Sequence, residues 1–202
     1  MRKQVVFIGG IHGVGKSTIC HEVHLATSAI IVKQRHLVKE VAIKLGAITW
    51  EDAGLVHNLV IKDAASLVIE RVKAKKSSLV LVDCHYSIRQ AKALRISSSP
   101  GFKGYIPDLD EKFVSVLRKY FELKFILVQT APEIAFARIV NRPIEIRDVD
   151  CSLELMVKSE RIEQIYFIQM VQNFQIDQKN FVILNNNGDL SQTLKSFNNF
   201  VF

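Results

Sequence analysis

Cysteines are few and long hydrophobic runs are absent from this sequence of 202 residues. The three cysteines, Cys20, Cys84 and Cys151, are odd in number and share no metal-ligand spacing. They fit free thiols in a reducing compartment, so we expect a cytoplasmic protein. No stretch approaches the roughly 18 apolar residues of a membrane span. The short apolar run before Gly9 does not match a signal peptide, and we expect neither a leader nor a membrane partner.

Internal repeats and low-complexity linkers are also lacking, and the length suits one well-buried domain over residues 1–202. Hydrophobic residues make up 49% and charged residues 23%, which is ordinary for a folded soluble protein. The net charge is +7, from 27 Lys and Arg against 20 Asp and Glu. This charge suits anionic partners; nucleotides are sufficient to explain it, and nucleic acid is an option that it does not require.

What the sequence does contain is a phosphate-binding loop. The apolar run 5–8 predicts a buried strand, and the next residues match the P-loop pattern G-x(4)-G-K-[ST] at every fixed position. Glycines let successive backbone N–H groups point at phosphate oxygens, and the helix that follows adds the positive end of its dipole. We expect Lys16 to reach the β- and γ-phosphates of ATP and the Ser17 hydroxyl to hold Mg²⁺. The predicted phosphate-binding residues are Gly10, His12, Gly13, Val14, Gly15, Lys16, Ser17 and Thr18.

Apolar runs that alternate with helical patterns predict the rest of the fold. Further strands are predicted at 28–32, 79–83, 125–129 and 181–184. Such continuous apolar runs are typical of parallel strands that are covered on both faces. Residues 85–110, which contain two turn-forming stretches, are expected to be irregular. The prediction is an α/β protein, a P-loop NTPase three-layer sandwich with a central five-stranded parallel sheet and helices on both faces.

Charged residues after the strands complete the predicted site. Asp83 ends an apolar strand, where the Walker B carboxylate of a P-loop protein holds Mg²⁺; a turn cap is the alternative. His85 could act as a base, contact phosphate or be an ordinary loop histidine. Three arginines would supply positive charge around a transferring phosphoryl group, unless they form a solvated helix end. The predicted catalytic residues are Lys16, Asp83, Arg138, Arg142 and Arg147, and the predicted metal ligands are Ser17 and Asp83.

Several segments resemble one known family in the same order along the chain. The stretches VDCHYSIR at 82–89 and GYIPDL at 104–109 resemble the D-T-H-x-x-I-(R/K)…G-Y-L-P-G-L segment of archaeal-type adenylate kinases. The P-loop, residues 61–65, 130–138 and 185–189 are also similar to that family. The resemblance covers most of the chain, although identity is low between these segments.

The resemblance implies an ATP-dependent nucleoside monophosphate kinase with ATP and Mg²⁺ as cofactors and a small phosphate acceptor as second substrate. It implies an acceptor-side helical segment at about 34–76 and a lid at about 138–150, which carries the three arginines. Asp83 would organise the reaction centre, and Arg89 would contact the acceptor phosphate. That phosphate is already an anion and needs no general base. The predicted acceptor-binding residues are His85, Arg89, Gly104 and Tyr105.

Three departures from the family leave the acceptor open. The lid sequence is sparser, the arginine-containing segment after Gly46 is missing, and the loop 90–103 is longer and serine-rich. A kinase of a small hydroxyl acceptor, with Asp83 or His85 as base, is therefore an alternative. A non-kinase P-loop ATPase that switches an RNA or protein assembly is another, and the net charge of +7 favours it. The sequence predicts no oligomeric state.

Overall fold

The computed structural model describes residues 3–44, 66–67, 69–70, 77–89, 105–109, 111–143 and 151–202. The strands in these ranges are β1 (Gln4–Gly9), β2 (Ile30–Lys33), β3 (Leu79–Asp83), β4 (Ser87–Arg89), β5 (Tyr105–Pro107), β6 (Glu122–Gln129) and β7 (Phe181–Asn185). Five of them form a sheet in the order β2-β3-β1-β6-β7, and every neighbouring pair is parallel. The predicted five-stranded parallel sheet is therefore confirmed.

Helices follow the strands of this sheet along the chain. In the described ranges they are α1 (Lys16–Thr27), α2 (Gln34–Lys44), α3 (Glu111–Arg118), α4 (Pro132–Val140), α5 (Leu153–Asn173) and α6 (Leu190–Val201), with a short 3₁₀ turn at Gln178–Asn180. Pro132 opens α4 at a position where its missing N–H costs nothing. Side-chain oxygens of Ser152 and Asp189 cap the first turns of α5 and α6. None of the helices in the described ranges is long and apolar enough to cross a membrane.

Both faces of the sheet are buried. Successive side chains of a strand point to opposite faces, and β1 accordingly sends Phe7 into one core and Ile8 into the other. Phe7 stacks on Phe125 of β6, with ring centroids 5.1 Å apart. On the opposite face Ile8 belongs to the same core as Phe197 of α6. The apolar runs of the strands thus reflect two separate cores, which explains the three-layer architecture.

The register of the sheet aligns the ends of the strands that carry the site. Ile8 of β1 and Lys33 of β2 both lie opposite Asp83, the last residue of β3. Gly9, the last residue of β1, leaves room for the ring of Tyr86, because a Cβ there would lie 2.2 Å from that ring. The Tyr86 hydroxyl donates to the carbonyl of Ile126, 3.0 Å away, and so ties the segment after β3 to β6. Loops after these strands consequently meet at one edge, where open α/β sheets bind ligands.

Two predictions about secondary structure were wrong. Residues 85–110 are not irregular throughout, because Ser87–Arg89 and Tyr105–Pro107 pair as the antiparallel strands β4 and β5. The second strand starts at residue 30 and not at 28, because Ser28 takes a left-handed conformation (φ 57°) and its N–H closes α1 on the carbonyl of His24. The helix predicted for 51–75 falls almost entirely outside the described residues.

Candidate nucleotide-binding site

The loop between β1 and α1 has the backbone that a phosphate cradle needs. Three glycines in this loop have positive φ values: 139° at Gly10, 83° at Gly13 and 96° at Gly15. Residues other than glycine rarely adopt this backbone conformation. At Gly15 a Cβ would also lie 2.4 Å from the Nδ2 atom of Asn186. Ser17 and Thr18, in the first turn of α1, are exposed and therefore accessible to a ligand. The predicted phosphate-binding loop has the required shape.

Lys16 is held inside this loop. Its side chain is only 7% exposed, and its ammonium donates to the carbonyls of Gly10 and Ile11, the latter 3.1 Å away. Burial lowers the pKa of Lys16, while the nearby carboxylates of Asp83 and Glu163 act in the opposite direction. The loop carbonyls thus position a positive charge beside the backbone groups that would bind phosphate.

Ser17 and Asp83 meet although 66 residues separate them in the chain. The Ser17 hydroxyl donates to Oδ2 of Asp83 at 2.7 Å. The contact exists because β1 and β3 are neighbours in the sheet and both end at the same level. A hydroxyl and a carboxylate are hard oxygen donors of the kind that Mg²⁺ takes from a protein, together with waters and substrate phosphates. The residues present therefore fit a magnesium site between loop and strand.

Two histidines lie side by side next to the loop. The rings of His12, within the loop, and His85, after β3, have centroids 4.9 Å apart and are tilted by 56°. His85 Nδ1 is 3.8 Å from Oε1 of Glu163. The structure therefore places a residue predicted for acceptor binding beside one predicted for phosphate binding.

Glu163 of α5 is a functional candidate that the sequence analysis missed. Its side chain is 2% exposed. One oxygen accepts from the backbone N–H of Gly10 (3.0 Å) and Tyr86 (2.8 Å), and the other from the N–H (2.8 Å) and hydroxyl of Ser87. Burial raises the pKa of Glu163, and the hydrogen bonds from Ser87 and Tyr86 oppose that shift. A single carboxylate thus joins the first glycine of the phosphate loop to the start of β4.

One signal in the sequence could have revealed Glu163. It follows Ile162 and precedes Tyr166 and Phe167, which all face the core. An acidic residue among the inward positions of an amphipathic helix is rarely buried unless it has partners. What the sequence does not show is that those partners are backbone groups of two other segments.

A second support of the loop comes from the turn after β7. The Asn186 Nδ2 group donates to the carbonyl of Val14 at 2.7 Å, and its backbone carbonyl accepts from Thr130 at 2.8 Å. Arg138 donates to the carbonyls of Gly13 (3.3 Å) and Asn186 (3.1 Å). Arg138, predicted to contact phosphates from a lid, here contacts the backbone of the phosphate loop and this turn.

The structure describes only some of the other predicted site residues. Arg142 follows α4 and is exposed. Tyr105 is buried, and its hydroxyl lies 2.9 Å from that of Ser159 on α5. Arg89 is the last residue of β4, but its side chain lies outside the described part of the structure. Gly104 and Arg147 also lie outside the described residues, as does most of the predicted acceptor-side and lid segments.

Comparisons with known proteins find one curated relative and two solved structures of similar fold. No family model matches the chain. An adenylate kinase of Thermoplasma acidophilum is 28% identical over 164 residues, which are 79% of this chain and 78% of the relative. The structure of TT1252 from Thermus thermophilus superposes with a TM-score of 0.56 and 13% identity over the full length of both chains. A sugar kinase from a Janibacter species gives 0.57 and 14% over all of this chain and 95% of that one.

The fold is that of the P-loop NTPases. In this chain its features are the parallel sheet, the glycine-shaped loop after β1 and the acid at the end of β3. The two solved structures share the fold over nearly their whole length. The relatives support an ATP-dependent kinase of the P-loop type. They do not single out the archaeal-type adenylate kinases that the sequence resembles.

Proposed function

We propose that this P-loop protein is a nucleoside monophosphate kinase, which transfers the γ-phosphoryl group of ATP to the phosphate of a nucleoside monophosphate. The observation that carries the proposal is the 2.7 Å contact between Ser17 and Asp83, which joins the phosphate loop to the acid at the end of β3. ATP hydrolysis without transfer would need the same Ser17–Asp83 pair, so this contact supports ATP chemistry and does not select the acceptor. The similarity to an adenylate kinase and the resemblance at 82–89 and 104–109 favour transfer to a monophosphate.

The donor half of the reaction would take place on the loop. The backbone N–H groups after Gly10 and the start of α1 would hold the ATP phosphates, and Lys16 would offset their negative charge. Ser17 and Asp83 would hold Mg²⁺, which when bound supplies charge neutralisation between the β- and γ-phosphates. Phosphoryl transfer asks little covalent chemistry of the protein, so positioning and positive charge are the main contributions.

The acceptor half would lie beside His85 and the hairpin β4–β5. Arg89 would contact the acceptor phosphate, with Gly104 and Tyr105 nearby, as the family resemblance implies. The arginines at 138, 142 and 147 would close over the phosphates and exclude water. Arg138 is already attached to the loop through Gly13, which would place it next to bound ATP.

Substrate profiling tests this proposal directly. The full chain is incubated with Mg-ATP and with AMP, CMP, GMP or UMP, and separately with the four nucleosides and with simple sugars. We expect formation of a nucleoside diphosphate from at least one monophosphate. Turnover of a hydroxyl acceptor without turnover of any monophosphate would overturn it, and so would ATP hydrolysis without transfer.

A specific observation keeps the hydroxyl-acceptor kinase as a second candidate. Asp108 follows β5, and its Oδ2 atom accepts from the N–H of His85 at 3.3 Å. Burial first, and then the charge of Glu163, raise the pKa of this carboxyl to about 7. A carboxyl with a pKa near the working pH is suited to accept a proton from a hydroxyl.

The single domain over 1–202 and the cytoplasmic location stay predictions.

A further inference from the structure

Among the residues that the structure describes, one buried oxygen next to the candidate site has no hydrogen-bond partner. Gln34, the first residue of α2, is 9% exposed, and its Oε1 atom is unpaired within the part of the chain that the structure describes. The Nε2 group of the same side chain donates to the carbonyl of Asp108 at 3.1 Å. That bond fixes which end of the carboxamide is the oxygen, because only the amide nitrogen can donate to a carbonyl.

An unpaired buried acceptor destabilises a protein, and native structures contain few of them. Gln34 is therefore a position where folding stability is given up. An apolar side chain of similar volume would remove the unpaired oxygen, but it would also leave the Asp108 carbonyl without its Nε2 donor. A polar group left unpaired in this way calls for an explanation, and a substrate that supplies the missing partner is one that also gives specificity.

The location of Gln34 points to the acceptor substrate. It comes directly after Lys33, which lies opposite Asp83 in the sheet, so Gln34 stands at the edge where β2 and β3 end. Its partner Asp108 is bonded in turn to His85, whose ring lies beside that of His12 in the phosphate loop. The chain of contacts runs from the phosphate loop through His85 and Asp108 to the unpaired oxygen.

We propose that Gln34 recognises the second substrate, the phosphate acceptor, which donates a hydrogen bond to its Oε1 atom. The acceptor then carries an N–H or O–H group at this point, a base amino or imino group or a sugar hydroxyl. Asp108 holds the carboxamide in place through its backbone carbonyl and so fixes the direction of the unpaired oxygen. This inference rests on the proposed kinase function, and it names a substrate feature that the function alone does not specify.

The test uses the full chain with Gln34→Leu and Gln34→Met, which remove the oxygen and keep most of the volume. Gln172→Leu, an exposed position on α5, is the matched control. Michaelis constants for Mg-ATP and for the best acceptor of the monophosphate and nucleoside panel are measured, together with melting temperatures. We expect the acceptor constant to rise about 10-fold or more, with that for Mg-ATP changing less than about 2-fold. The melting temperatures show whether each variant is fully folded under the assay conditions, because both substitutions remove the unpaired oxygen and also the Nε2 donor of the Asp108 carbonyl.

Two analogues of the best acceptor identify the donor group. One lacks the hydrogen-bond donor of the base, and the other lacks a ribose hydroxyl. The wild type should discriminate against one of them, and both Gln34 variants should treat that analogue and its parent alike. This loss of discrimination separates a contact with the acceptor from a merely structural role.

Each result decides for or against the proposal. Unchanged acceptor constants in both Gln34 variants would overturn it while the kinase function stands. Equal discrimination by wild type and variants would also overturn it. A wild type that hydrolyses Mg-ATP but phosphorylates nothing in the panel would overturn the kinase function and this inference together.

Discussion

At the scale of the residue, three polar side chains of the candidate site are buried, and most of their hydrogen-bond partners are backbone groups. Lys16 is bonded to loop carbonyls and Glu163 to three N–H groups, while the Gln34 oxygen has no partner among the described residues. The hydrogen bonds of these side chains restrict their conformations before any substrate binds. Such pre-positioning is what phosphoryl transfer requires, since no covalent step is done by the protein.

Replacing Lys16 tests the donor site. Lys16→Met keeps the aliphatic stem and removes the charge, so we expect turnover to fall by more than about 100-fold while the fold stays intact. Steady-state kinetics and circular dichroism measure the two effects. Lys158→Met on exposed α5 surface is the control and should leave both unchanged. Retained activity in Lys16→Met would remove Lys16 from its proposed role.

Asp108 predicts a particular pH dependence of stability. Its pKa of about 7 in the folded protein lies above the usual 3.8, so between these pH values the folded chain binds a proton that the unfolded chain has released. Stability from this group is therefore complete at low pH and is lost as the pH rises through 7. Asp108→Asn can still accept from the His85 N–H and cannot ionise.

We expect Asp108→Asn to gain stability over the wild type as the pH rises from 4 to 8. The gain should be at most roughly 4 kcal/mol, since three pKa units correspond to about 1.4 kcal/mol each. Urea unfolding without nucleotide at several pH values measures it. Parallel stability profiles for the two proteins would show that this carboxyl is not perturbed by burial.

At the scale of the element, α5 connects the two halves of the site. The predicted lid segment ends at residue 150 and α5 begins at Leu153. Midway along this helix Glu163 bonds both the phosphate loop and the segment that leads into β4. A shift of the helix would therefore act on the donor loop and on the acceptor-side hairpin at the same time.

Glu163→Gln tests this connection. The carboxamide presents one oxygen and one N–H₂ group to four donors, so part of the set must lose its acceptor. We expect a loss of about 1–3 kcal/mol in unfolding free energy and a fall in kcat of about 10-fold or more at a temperature where the variant is fully folded. Glu154→Gln, at an exposed position in the first turn of α5, is the control. Equal stability and kcat in Glu163→Gln and wild type would contradict this role.

At the scale of the whole molecule, the site belongs to the sheet edge and not to any one element. β1, β3 and β6 end together, and each contributes to the loop or to its supports. The phosphate loop is clamped by Glu163 on one side and by Asn186 on the other. Binding of nucleotide should for this reason stabilise the molecule globally.

Thermal unfolding with Mg-ATP measures that stabilisation. A ligand at 100 times its dissociation constant adds about 2.7 kcal/mol, which is roughly 5–10 °C in melting temperature for a chain of this size. Addition of EDTA to remove Mg²⁺ should reduce the increment, because Ser17 and Asp83 would then face ATP without the cation. The Lys16→Met variant should show a smaller shift. An equal shift with and without Mg²⁺ would argue against a metal at Ser17 and Asp83.

The sequence by itself determined the layer architecture and the shape of the phosphate loop. Buried parallel strands need apolar residues on both faces, and a phosphate loop needs glycines at fixed spacing. Both requirements concern residues that are close in sequence, so they can be recognised from the sequence alone. The hairpin β4–β5 could not be predicted, because short strands depend on pairing across 15 residues or more of sequence.

Only the tertiary structure decided which distant groups meet. The pairing of Ser17 with Asp83 follows from the strand order, and the roles of Glu163, Asn186 and Gln34 follow from where helices and turns dock on the sheet edge. Their partners are backbone N–H and C=O groups, which every residue carries. No residue type marks such a partner in a sequence, so only the fold identifies it.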